Sequence, residues 1–124
     1  MSEEVKQVIV MRTKYPDGDG GFIKPRVGKL VVQGAHAVMG VTEDKPKLTK
    51  EWRESNHKKV CLQVETEADL KEIEAKAKKA GLKVYLVTDS GLTEFDGVPT
   101  ITCLAIGPDY SDKIDSITGS LKLL

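Results

Sequence analysis

Along the chain, short apolar runs of strand length alternate with stretches whose apolar residues recur three and four positions apart. Lys6-Gln-Val-Ile-Val-Met-Arg12 is rich in β-branched residues and predicts a strand. Tyr15-Pro-Asp-Gly-Asp-Gly-Gly21 follows, so dense in turn formers that it reads as a loop. The spacing from Val27 to Val41 predicts a helix, and a polar segment from Thr42 to Lys58 separates it from a second strand, Lys59-Val-Cys-Leu-Gln-Val64. Thr66-Glu-Ala-Asp69 has the pattern of a capping box and opens a helix to Ala80. Leu70, Ile73 and Ala77 share one face of it, and Gly81 stands just past its end. Lys83-Val-Tyr-Leu-Val-Thr88 is a third strand, with Asp89-Ser-Gly-Leu-Thr93 at its carboxyl end. Pro99 to Ile106 makes a fourth, closed by Gly107-Pro108, and a helix from Ser111 to Ile117 precedes Gly119 and an apolar tail.

Strands with one face in water would alternate more cleanly than these four do, so helices are expected on both faces. The expected fold is α/β, a three-layer α/β/α sandwich with a mixed four-stranded sheet. The connection from Asp89 to Val98 holds no helix, so the third and fourth strands either pair antiparallel or the chain crosses elsewhere; strand order stays open. A chain of 124 residues, 40% of them hydrophobic, builds one core, and one domain over residues 1–124 is expected.

Charge changes this picture only through its distribution. The chain holds 19 basic and 19 acidic residues, which excludes a disordered acidic tail or a globally basic coat. Residues 24–59 nevertheless hold nine Lys or Arg against four acids, and residues 60–124 seven against eleven. Such asymmetry marks a candidate polyanion face as well as an ordinary solvated one. The start Met1-Ser-Glu-Glu-Val-Lys6 lacks a signal sequence, and no apolar run approaches the roughly 18 residues that span a bilayer, so a soluble, cytoplasmic protein is expected. Cys61 and Cys103 lie in strand-like runs without Cys-x-x-Cys spacing and read as small buried hydrophobes. Asp17-Gly-Asp19 lacks the downstream ligands of a calcium loop and reads as a surface turn.

Candidate chemistry gathers on the first helix. In Gly28-Lys-Leu-Val-Val-Gln-Gly-Ala-His-Ala37, Lys29, Gln33, His36 and Gly40 fall at i, i+4, i+7 and i+11, one stripe of a helix. Gly28-Lys29 also sets a cation at the helix start, where free N–H groups attract anions. A surface lysine and a hydrogen-bonded core histidine would give the same pattern. A Walker A loop is excluded, because Leu30 follows Lys29 and no glycine precedes Gly28 at the required distance.

Taken together, Gly28-Lys29-x-x-x-Gln33-x-x-His36-Ala37, the isolated Trp52, Asp89-Ser-Gly-Leu-Thr-Glu94, Thr102-Cys-Leu-Ala-Ile-Gly-Pro108 and the ending Ile114-Asp-Ser-Ile-Thr-Gly-Ser-Leu-Lys-Leu-Leu124 resemble the peptidyl-tRNA hydrolase 2 family, over nearly the whole chain. The resemblance implies hydrolysis of the ester between peptide and tRNA, a compact α/β/α fold, no cofactor, peptidyl-tRNA as partner and a homodimer; no metal and no membrane are expected either. It assigns the catalytic set to Lys29, Gln33, His36, Asp89 and Thr102. For tRNA contact the expected residues are Lys24, Arg26, Lys29, Thr93, Lys58 and Lys59, and Lys45, Lys47, Lys50 and Arg53 are further candidates along the backbone.

Ester hydrolysis needs a base for water, donors for the developing oxyanion, and help for the leaving ribose oxygen. Asp89 would polarise water directly or through His36, Lys29 with Thr102 or backbone N–H groups would hold the oxyanion or a phosphate, and Gln33 would orient the water or the carbonyl. Without the resemblance, Asp89-Ser-Gly would read as an ordinary turn. Val27 stands where relatives carry a lysine, Val31-Val32 where they carry small residues, and Thr13-Lys14 where an acid is common. The loop from Tyr15 to Pro25 is longer than usual, so substrate range is open. Two other readings stand beside the hydrolase: a module that binds RNA or protein without cleaving it, and a hydrolase for another ester or amide on the same scaffold. Trp52 reads as a core anchor or a stacking platform for a base.

Overall fold

A computed structural model describes residues 4–41, 46–90 and 98–124. Its elements in chain order are β1 (Val5–Arg12), β2 (Tyr15–Pro16), β3 (Phe22–Ile23), α1 (Val27–Met39), α2 (Pro46–Glu54), β4 (Lys59–Val64), α3 (Glu67–Lys79), β5 (Val84–Asp89), β6 (Thr100–Tyr110), α4 (Ser111–Thr118) and β7 (Lys122–Leu123).

The main sheet is mixed, in the order β5-β6-β1-β4-β7. β1 and β4 are parallel, with Val10 beside Leu62, whereas β6 runs antiparallel to both β1 and β5. Alternate residues of the central strands serve different cores, as the two-residue repeat of a strand requires. Val8, Val10, Leu104 and Ile106 join Leu70, Ile73 and Ala77 of α3 and Ile114 of α4. Met11, Cys103 and Ala105 join Ala37 of α1 and Val41. The continuous apolar strands of the sequence have this physical origin.

The sheet has five strands rather than the four expected. The apolar tail turns back along β4, pairing Leu62 with Leu123 and Gln63 with Lys122. Leu124 N–H donates to the Cys61 carbonyl (3.0 Å) and Gln63 Nε2 to the Leu123 carbonyl (2.8 Å). Two residues are too few for a periodicity to register. α2 also lies in the segment read as polar: Pro46 suits a first helical position, but Leu48 and Trp52, four positions apart, are the only large apolar residues of its nine, too few to stand out in so charged a segment. Trp52 is a core anchor whose Nε1 donates to the Lys58 carbonyl at 2.8 Å.

β6 does not stop at Gly107-Pro108 but continues through a cis bond there to Tyr110. The ladder to β1 shifts register beside that pair, so the proline, which has no N–H, falls where no ladder bond is needed. The expected loop after β1 is a two-stranded hairpin of β2 and β3, closed by Asp17, whose Oδ1 accepts from the Asp19 and Gly21 amides at 2.7 and 3.0 Å.

The second predicted helix is observed as read. Thr66 Oγ1 accepts from the Asp69 amide (3.2 Å) while Asp69 Oδ2 accepts from the Thr66 amide (3.1 Å), and Gly81 takes the left-handed conformation, φ +76°. Replacing Thr66 by Ala removes one half of this box and is expected to lower stability by about 1 kcal/mol, about 3–6 °C in Tm. Thermal melts followed by circular dichroism measure this, and Thr66→Ser should stay close to wild type.

Candidate active site

α1 begins at Val27 with Arg26 as N-cap, no side chain capping it and no acid in its first turn. Its axis runs opposite to β5, so its first turn meets the last residue of that strand. Lys29 Nζ donates to Asp89 Oδ1 at 3.0 Å, with both side chains largely out of solvent. One turn later Gln33 Nε2 donates to the same oxygen at 3.2 Å. Behind it, Thr102 Oγ1 donates to Gln33 Oε1 at 2.7 Å. The carboxylate accepts only, so it turns the amide nitrogen of Gln33 toward itself and the amide oxygen toward Thr102, which must then donate. A relay of four side chains from one helix and two strands is thereby set in one orientation.

The strand geometry that delivers Thr102 is irregular. Val87 pairs with Cys103 and Thr88 with Ile101, leaving Thr102 as an extra residue on β6. In regular alternation Thr102 and Cys103 would face opposite sides of the sheet. At this bulge both reach α1, Thr102 through the Gln33 side chain and Cys103 through its Sγ, which donates to the Gln33 backbone oxygen at 3.3 Å. Thr102 and Gln33 are 1% and 3% exposed, so Thr102 lies behind the amide and acts by positioning it. Burial pushes the Cys103 thiol up to about 12, which removes it as a thiolate nucleophile near neutral pH.

His36 continues the stripe and is exposed. Together with Gln33, Met39, Tyr85, Asp89 and Ser90 it lines a cleft of about 560 Å³ beside the relay. Gly40, the last position of the stripe, carries the Tyr85 ring so closely that a Cβ there would lie 2.2 Å from Tyr85 Cγ. Lys24 and Arg26 are exposed just ahead of α1. Lys58 and Lys59 do not join this group: Lys59 pairs with Gln7, at the opposite end of the sheet from Arg12 and Asp89. Its Nζ lies 4.4 Å from the Trp52 ring centroid, and burial lowers its pKa. Thr93 and Lys45 lie outside the described residues.

Three participants carried no weight in the sequence reading. The buried Arg12 donates from Nη1 to the Ile101 carbonyl (3.1 Å) and from Nε to the Lys14 carbonyl (2.9 Å), and its guanidinium lies 4.3 Å from the Tyr15 ring centroid. The Tyr15 hydroxyl makes long contacts of 3.4 and 3.5 Å to the Arg12 and Thr102 carbonyls. These two tie the hairpin to the bulged strand, and an arginine closing an apolar strand was the signal available for them. Tyr85, the third, could be found only from the fold.

A mixed α/β sheet carrying a lysine–carboxylate–amide relay beside an open cleft defines a class of protein equipped for acid–base chemistry on a polar or anionic substrate. The model of the family described as peptidyl-tRNA hydrolase PTH2 matches residues 5–124. Proteins named peptidyl-tRNA hydrolase from Thermococcus onnurineus and Methanopyrus kandleri are each 40% identical, aligning 96% of this chain and 97% of theirs. One from Methanothermobacter thermautotrophicus is 41% identical over 97% of this chain and all of its own. The chain belongs to the peptidyl-tRNA hydrolase PTH2 family.

Thr102→Val keeps the shape of the side chain and removes the donor to a buried amide oxygen. It is expected to lower stability by about 1–3 kcal/mol in urea unfolding, whereas Thr102→Ser keeps the donor and loses one buried methyl, at a cost of about 1 kcal/mol. A valine variant as stable as wild type would show that the bond contributes nothing.

Proposed function

We propose that this protein hydrolyses the ester joining a peptide to the 3′ ribose of tRNA, releasing both. The observation that carries this reading is the meeting of Lys29, Gln33 and Asp89 at one oxygen on the rim of a cleft. In this reading Asp89, oriented by its two donors, takes a proton from the attacking water, directly or through His36. The hydroxide adds to the ester carbonyl, and the oxygen that gains charge is stabilised by the Lys29 ammonium. Collapse of the tetrahedral intermediate expels the ribose oxygen, which receives the proton taken from water. Gln33 orients the reacting groups, and Thr102 keeps Gln33 in register.

Lys24, Arg26 and Lys29 form the near part of the tRNA contact, with Thr93 as a further candidate four residues after Asp89 in the sequence, while Lys58 and Lys59 belong to a more distant part of so large a substrate. Placement of α1 against one core and of α3 and α4 against the other supports the α/β/α layering. On the flank of α1 away from Asp89, an apolar groove of about 570 Å³ lined by Val27, Leu30, Val31, Ala35 and Val38 supports a homodimer in which a second copy covers it. Among the described residues no helix is long and apolar enough to cross a membrane; a substrate made at the ribosome supports the cytoplasm as the site of this work.

The test is release of free tRNA from an N-acetylated aminoacyl-tRNA. Asp89→Asn is expected to lower kcat about 10²–10⁴-fold and Lys29→Ala about 10²–10³-fold. Folded variants that match wild type would refute the assignment, and a wild-type protein that retains tRNA without releasing the peptide would make this a binding module.

A further inference from the structure

We infer that the cleft has a direction: the tRNA backbone enters at the amino-terminal end of α1, and the side chain of the peptide's last residue packs at the other end, against Tyr85. This rests on the hydrolase reading above. The cleft follows α1 along β5. Its first end is fixed by Lys29 on Asp89, and its second by Gly40 under Tyr85, four residues earlier on the strand and so about 13 Å away.

The two ends differ in charge. Arg26 is the N-cap of α1, Lys29 lies in its first turn and the exposed Lys24 precedes both, so basic residues accompany the positive end of the α1 dipole, which suits phosphates. Toward Tyr85 the lining residues are His36, Met39, Gly40, Val87, Thr88 and the ring itself, with no lysine, arginine or acid among them. The carboxyl end of α1 carries negative partial charge there and disfavours a phosphate. With the scissile ester at Asp89 and the polyanion drawn to one end, the acyl portion is left with the other.

Tyr85 is suited to receive it. The ring sits on an edge strand, 43% exposed, and is braced by α1, because Gly40 leaves room that any Cβ would fill. A surface held in place before the substrate arrives loses little freedom on contact, so an apolar side chain gains most of the packing.

The experiment compares N-acetyl-leucyl and N-acetyl-glycyl esters of the same tRNA, with deacylated tRNA as inhibitor. Wild type and Tyr85→Phe are expected to favour the leucyl ester about tenfold in kcat/KM. Tyr85→Ala, and Tyr85→Thr as a truncation suited to a strand, should reduce that preference to twofold or less with inhibition by deacylated tRNA unchanged. Equal preference in wild type and both truncations, or no preference in wild type, would overturn the inference while leaving the hydrolase reading intact. Weaker inhibition by deacylated tRNA in both truncations would place a nucleoside on Tyr85 and overturn it as well. A wild type inert on both esters would overturn the hydrolase reading and this inference with it.

Discussion

One carboxylate oxygen, Asp89 Oδ1, organises the candidate site. It closes the gap between the start of α1 and the tip of β5 by accepting from Lys29 and Gln33 at once. A carboxylate at a strand end, an ammonium on a helix and a buried amide would each be costly to hold alone in a partly desolvated place. Joined, they compensate one another, and the orientation of each is set by the next. The relay ends on a hydroxyl that is itself buried, so its last member serves geometry rather than contact with a substrate.

That geometry depends on departures from regularity. The extra residue on β6 puts Thr102 and Cys103 on one side of the sheet, and both bond to Gln33, one to its side chain and one to its backbone. Arg12 and Tyr15 contact the backbone around that bulge, at the Ile101 and Thr102 carbonyls. Gly40 lets β5 and α1 approach closely enough for Tyr85 to wall the cleft. Bulges and close contacts of this kind concentrate where a sheet must aim a side chain that its pleat would otherwise turn away.

α1 therefore has three separate sides. Gly34 and Ala37 meet the sheet, Gln33 and His36 line the cleft one and two turns after Lys29, and Val27, Val31 and Ala35 line an apolar groove with Ile9 and Cys61 of the sheet on the side away from the cleft. One helix can do this because its residues advance by about 100° each, so three unlike stripes fit around it without competing. Val27, Val31 and Val32 are all exposed and make none of the contacts of the relay.

Elements with strong local signals were legible in the residues alone: the capping box at Thr66, the turn glycine at 81, the apolar strands, and the stripe of Lys29, Gln33, His36 and Gly40. Each depends on neighbours within one or two turns, so local chemistry suffices to define it. The edge strand at Lys122–Leu123, the helix at Pro46, strand order, the bulge at Thr102 and the parts played by Arg12, Tyr15 and Tyr85 arise from contacts tens of residues apart in the chain. A motif can name Lys29 and Asp89, but only packing of α1 antiparallel to β5 brings an ammonium and a carboxylate sixty residues apart to 3.0 Å, because helix and strand directions are decided by the core they bury together.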